Sequence, residues 1–154
     1  MSTEPIAFTL SAIAAARASG TVVVRGSAYT IHALSDAEHQ AILEVFRMPR
    51  PPMVKPPNKG SLAPLEPDLR DPEYVTAANR WGRQTRAAQA AIALRAEGYP
   101  GVADPATFSA WAQRVVPQLQ GQMHATEIER VVKAADALIE AAAIAFGGDD
   151  GSGN

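Results

Sequence analysis

The sequence predicts a mostly α-helical protein: a helical bundle of three to five helices, with a small N-terminal β-hairpin and a proline-rich extended arm. Three observations carry this prediction. Apolar residues recur at steps of three and four from Tyr74 to Ile92, from Phe108 to Leu119 and from Ile128 to Phe146, the period of an amphipathic helix. Alanine fills roughly one position in five and aromatics only 6%, so the core is made of small side chains that favour helices packed closely together. Eight of the twelve prolines lie between Met48 and Pro72, and proline both fixes φ and removes a hydrogen-bond donor, which excludes helix and central strand there. The chain therefore divides into an N-terminal helix/hairpin/helix module (1–47), a basic proline-rich linker or arm (48–71), a C-terminal helical domain (72–146) and a flexible acidic tail (147–154).

The first element is the least specific. Ile6 to Ala16 is apolar and small enough to imitate the core of a signal peptide, but Glu4 stands where a secretory leader carries positive charge. A short alanine-rich helix or a helix–strand entry is expected instead. No stretch reaches the roughly 18–20 consecutive apolar residues that span a bilayer, so the expected location is the cytoplasm, away from membranes.

From Thr21 the pattern becomes β-branched. Thr21–Arg25 and Ala28–His32 read as two strands around Gly26-Ser27, a two-residue loop opening with glycine, the signal of a type II′ hairpin. Such a hairpin is marginal alone and must lie on a helix or join another sheet. Ser35-Asp36-Ala37-Glu38 is a capping box, and Ala41, Ile42, Val45 and Phe46 supply the apolar face of a helix to about Arg47. The arm from Met48 follows, expected to be extended and polyproline-like.

Asp71 as N-cap and Pro72 at the first helical position open a long helix running to about Glu97. Its face is Tyr74, Ala78, Trp81, Thr85, Ala88 and Ile92, and Gly98-Tyr99-Pro100-Gly101 ends it. Asp104-Pro105 repeats the start signal, and Phe108, Trp111, Ala112, Val115, Val116 and Leu119 form the next stripe. Pro117 inside that stripe predicts a kink or a break, since an internal proline costs about 3 kcal/mol. Thr126 and Glu129 read as a second capping box before a final face of Ile128, Val131, Val132, Ala135, Leu138, Ile139, Ala142 and Phe146. Glu129 and Lys133 form a supporting pair at four residues' spacing.

Residues suited to bond chemistry are sparse. Without cysteine there is no thiolate nucleophile and no Cys-ligated zinc site. His32, His39 and His124 fall in a strand, a helix and a loop, and none belongs to an i, i+4 metal-binding pair. Gly26-Ser27 lacks the G-x-S-x-G elbow, and Pro57-Asn58-Lys59-Gly60-Ser61 lacks the spacing of a phosphate-binding loop. Asp68, Asp71 and Glu73 complement the start of a helix and have no electrophilic partner in view. The reading is no enzyme, no cofactor and no metal.

Charge is unevenly placed. Between Arg47 and Arg95 nine basic residues face four acidic ones, whereas the whole chain is at −2. The basic middle could be a solvated helix face (Arg80, Arg83, Arg86), a docking surface for acidic protein or for this protein's own ends, or a phosphate contact. A pI near 5.9 argues against a globally basic nucleic-acid binder. Trp81, Phe108 and Trp111 sit on helical stripes and suit core packing, although alanine-rich helices can also keep a groove open for a partner helix.

Taken in order, Tyr29–Glu38, Arg50-Pro51-Pro52 with Lys55-Pro56-Pro57, Asp71-Pro72-Glu73-Tyr74 opening an arginine-rich helix with Trp81, and the alanine-rich C-terminal helices resemble the tail assembly chaperones of long-tailed bacteriophages. The resemblance spans residues 21–146 and rests on order and composition. It implies a mostly helical, non-catalytic protein of the host cytoplasm. Such a protein binds the tape-measure protein, keeps it soluble and recruits tail-tube subunits, several copies lining up along the client. A frameshift-extended form is common in that family. The expected contact faces are those of the 72–97 and 126–146 helices, with Tyr74, Trp81, Arg80, Arg83, Arg86, Leu138, Ile139 and Phe146 as partner-binding residues. Two other readings stay open: a small DNA-binding or regulatory helical protein using Arg80, Arg83 and Arg86, and a permanent neck or tail-completion subunit of the virion.

Overall fold

The structure, a computed structural model, describes residues 19–57, 60 and 62–152, with side chains as far as Ala141. The expected alanine-rich helix or helix–strand entry over Ile6–Ala16, the residues Asn58, Lys59 and Ser61, and the Phe146 side chain lie outside the described residues. Among those described, the order is β1 (Ser19–Val24), β2 (Ser27–His32), α1 (Asp36–Val45), β3 (Met53–Val54), β4 (Glu66–Pro67), α2 (Pro72–Ala93), α3 (Pro105–Gln122) and α4 (Ala125–Ser152). The protein is mostly helical with a small N-terminal hairpin, as its periodicities predict.

Strands β1 and β2 pair antiparallel from Ser19 opposite His32 to Val24 opposite Ser27. The loop is therefore Arg25-Gly26, one residue earlier than the expected Gly26-Ser27. Both loop residues have positive φ, 52° and 79°, which makes the turn type I′ rather than II′. Left-handed backbone is costly at a residue with a Cβ, and a contact far away in sequence holds Arg25 there. Its Nε and Nη2 each donate to a Glu127 carboxylate oxygen at 2.8 Å, and Nη2 also donates to the Gln122 carbonyl. Val22, Val24 and Ile31 are buried while Val23 faces out, the two-residue alternation of a one-sided sheet. That inner face lies on α4. At Gly20 a Cβ would come within 2.8 Å of Leu138 Cδ2, so the missing side chain lets β1 seat against the helix.

Helix α1 carries the expected box: Ser35 Oγ accepts from Glu38 N–H, and the Glu38 carboxylate accepts from Ser35 N–H at 2.9 Å. The proline-rich stretch carries two short extended segments, Met53–Val54 and Glu66–Pro67. It turns back on itself, pairing Met53 with Pro67 and Val54 with Glu66, and Asp68 N–H donates to the Pro52 carbonyl at 2.8 Å. A two-residue edge ladder tolerates Pro67 because the missing donor need not serve a further strand. Leu62, Leu65 and Leu69 remain exposed on it.

Asp71 caps α2 through Tyr74 N–H at 2.9 Å, with Pro72 at the first position. The helix ends at Ala93, four residues short of expectation. Arg95 adopts φ 50°, its N–H reaches Ile92 O, and Ala96 N–H reaches Ala91 O. This is a Schellman motif with arginine in the place usually held by glycine. Helix α3 buries all six residues of its predicted stripe and runs unbroken through Pro117 to Gln122. Of the expected kink or break, the break is absent: Val115, Val116 and Leu119 pack into the core on either side of the lost hydrogen bond. Helix α4 starts two residues earlier than predicted. His124 precedes it and its N–H is held by the Glu127 carboxylate at 2.9 Å, so Glu127, not Glu129, is the capping glutamate. The helix also continues through Gly147 and Gly148 to Ser152, where a flexible tail was expected. A ladder already propagated over five turns loses only about 1 kcal/mol per glycine relative to alanine.

The buried residues form one cluster drawn from the hairpin, α1, α2, α3 and α4. Helix α2 is central: Ala87, Ala88, Ala90, Ala91, Ile92 and Ala93 are wholly buried, with α1, α3, α4 and β2 packed around them. Alanine on nearly every side is what allows this many neighbours to reach one helix axis.

Candidate partner-binding groove

Only the C-terminal half of α2 is enclosed. Its N-terminal half, from Pro72 to Arg83, contains no fully buried residue, and Val75 is exposed. Where this half leaves the bundle it forms one wall of an open groove of about 450 Å³, the other wall being the α3–α4 junction. Ala78, Gly82, Met123 and Ile128 make its apolar floor, and Arg83, Arg86 and Glu129 stand at its mouth. Arg86 Nε lies 3.4 Å from a Glu129 carboxylate oxygen and Nη1 donates to Gln89 Oε1 at 3.1 Å. Arg83 has no hydrogen-bond or ion-pair partner among the described residues. Thr85 Oγ1 donates back to the Gly82 carbonyl at 3.0 Å, satisfying that hydroxyl within the helix.

The structure distributes the predicted contact residues unevenly. Arg83 and Arg86 share the groove, whereas Arg80 lines a separate depression with Pro72, Glu73, Thr76 and Ala77. Residues three apart on a helix are rotated by about 60°, so the arginines at 80, 83 and 86 wind around α2. Tyr74 is half-buried near the capped end. Trp81 is also half-buried, and its Nε1 donates to the Phe46 carbonyl at 2.7 Å, which ties the end of α1 to α2. Leu138 is occupied by the hairpin at Gly20, and Ile139 is exposed at 40%. Gly82, Met123 and Glu129 enter the site without having been read as contact residues. The available signal was the line Ala78, Gly82, Arg86 at steps of four, one row along α2.

A second polar cluster surrounds Glu38. Glu38 is buried, and its carboxylate accepts from Ser35 N–H, Arg95 Nη1 at 2.7 Å and the Tyr99 hydroxyl. Burial alone would raise this carboxyl, but the hydrogen bonds from Ser35, Tyr99 and Arg95 outweigh it and hold it below its ordinary value. Burial, reinforced by Glu38, raises the Tyr99 hydroxyl. The Arg95 guanidinium covers the Tyr99 ring at 4.9 Å, and that ring meets Trp111 edge-on at 5.0 Å. His32 lies close enough to be lowered by burial first and by Arg95 second, against an opposing pull from Glu38. No buried side-chain nitrogen or oxygen among the described residues lacks a partner. The cluster joins the hairpin, α1 and the end of α2 as a structural tie.

Among the described residues no group of three His, Asp or Glu side chains is arranged to hold a metal ion, and no helix is long and apolar enough to cross a membrane. Comparison with known proteins finds no matching family model, no similar curated protein and no similar solved structure.

Proposed function

We propose that this chain is a tail assembly chaperone of a long-tailed bacteriophage, a non-enzymatic protein of the host cytoplasm. In this reading it binds the tape-measure protein, keeps it soluble and helps recruit tail-tube subunits. The groove between α2 and the α3–α4 junction carries the proposal: an apolar floor of Ala78, Gly82, Met123 and Ile128 bordered by polar and charged side chains suits holding a helical segment of another chain. The exposed Leu62, Leu65 and Leu69 of the arm add further apolar surface. The sequence resemblance over residues 21–146 supplies the identity of the client. A DNA-binding role is less well supported, because Glu129 and Glu73 interrupt the positive surface around Arg86 and Arg80.

Coexpression with the tape-measure protein tests the reading. A soluble complex containing both chains is expected, with this chain missing from finished particles. A tape-measure protein that stays insoluble with and without it overturns the chaperone assignment, and its presence in purified particles marks a permanent virion subunit.

A further inference from the structure

We propose that the α2–α4 groove takes a single α-helix of a partner protein, seated with a small side chain over Gly82 and a flanking carboxylate on Arg83. This rests on the reading of the chain as a binding protein, and adds what the bound segment must look like. Glycine in the middle of an exposed helix costs about 1 kcal/mol relative to alanine, so its presence needs a reason. At Gly20 the reason is internal, since Leu138 fills the space of the missing Cβ. At Gly82 nothing lies within 4 Å of that position, and the vacancy opens into the groove. Ala78 and Gly82, four residues apart, leave a shallow furrow along α2, and furrows of this kind accept the ridge of a second helix.

Charge selects the occupant further. Arg86 is already engaged by Glu129 and Gln89, whereas Arg83, on the same wall, has no partner among the described residues. One free guanidinium beside one neutralised one asks for a single carboxylate, which it can bind with two parallel hydrogen bonds. A polyphosphate backbone would meet the Glu129 carboxylate at the mouth. The arm of a second copy is the poorer occupant as well, because its prolines exclude the helical ridge that the furrow accepts.

The test uses the full chain and two synthetic helical 20-residue peptides with an alanine and leucine face, one flanked by glutamate and one by lysine, read by fluorescence anisotropy. The glutamate peptide is expected to bind at low salt. Binding should weaken at least tenfold in Gly82→Leu, which fills the furrow, and in Arg83→Glu. Arg83→Glu should in turn prefer the lysine peptide. Circular dichroism checks that both variants remain folded, and Gly82→Ala, which keeps the helix and fills less space, should fall between wild type and Gly82→Leu. Failure of the glutamate peptide to bind, equal binding by wild type and both variants, or displacement of the peptide by a single-stranded oligonucleotide with tighter affinity overturns the inference. The chaperone reading fails separately: peptide binding with an insoluble tape-measure protein leaves the groove and removes the client. A client held equally well by Gly82→Leu and Arg83→Glu removes the groove alone.

Discussion

The Arg25 guanidinium grips Glu127 through two hydrogen bonds of 2.8 Å across 102 residues of sequence, and Glu127 is the residue whose carboxylate also caps the start of α4. Arg95 and Glu38 repeat the arrangement. There too an arginine with left-handed backbone holds a glutamate that closes a helix N-terminus. In both places strained backbone and helix capping are secured by one ion pair. These pairs attach the hairpin to α4, and α1 to the end of α2.

Arginine at a left-handed position is a compromise between backbone and side chain. At Arg95, glycine relieves the backbone but loses the guanidinium, whereas alanine loses the guanidinium and keeps the strain. Arg95→Gly is therefore expected to be more stable than Arg95→Ala by about 1 kcal/mol, with both below wild type. Urea denaturation of the three proteins measures the order. The same order is expected at Arg25.

Glu38 accepts three hydrogen bonds in a buried position, so its removal leaves donors without an acceptor. Glu38→Ala should cost about 2–3 kcal/mol, and Tyr99→Phe about 1 kcal/mol. The double variant should cost less than the sum, because both changes break the same contact. Thermal unfolding checks all three.

Acid should destabilise the fold in two steps. His32 has a folded pKa below its ordinary 6.5, so the unfolded chain takes up the proton first and stability falls as the pH drops below that value. Glu127, held at about 2 by the Arg25 hydrogen bonds first and His124 N–H second, and Glu38, also lowered, give stability that is complete above pH 4.5 and is lost as the pH falls toward 2. A denaturation series from pH 8 to 3 should show both, and His32→Gln should remove the first step while leaving the second.

Gly82 and Pro117 each weaken a helix without an internal contact that explains them. Gly82→Ala is expected to stabilise the isolated protein by about 1 kcal/mol, and Pro117→Ala, which restores the lost hydrogen bond, by about 1–2 kcal/mol. Only Gly82→Ala should also weaken partner binding. Melting temperatures set beside binding curves separate the two.

What could be read from the sequence was what local chemistry decides. The Ser35–Glu38 box, the Asp71-Pro72 start and the stripe from Phe108 to Leu119 each depend on residues within a few turns, and each stands where periodicity and capping place it. Several departures come from contacts between residues distant in sequence, whereas the run of α4 through Gly147 and the choice of Glu127 as its cap are local. The hairpin loop moved to Arg25-Gly26 because Arg25 meets Glu127, and α2 stops at Ala93 where Arg95 turns back toward Glu38. Packing of Val115, Val116 and Leu119 carries α3 past Pro117. For the groove, the arginines were visible but their grouping was not, since spacing by three winds Arg80 away from Arg83 and Arg86. Gly82 was the one local signal, and its meaning depends on Met123 and Ile128 arriving opposite from another helix.

Hydrogen–deuterium exchange of the full chain, alone and with the tape-measure protein, tests the central claim most directly, because it reports where a partner sits. The account predicts slower exchange in residues 76–90 and 123–132, the two walls of the groove, with the hairpin unchanged. Unaltered exchange on both walls in a chain that demonstrably holds the client, or protection confined to the hairpin and α1, would contradict it.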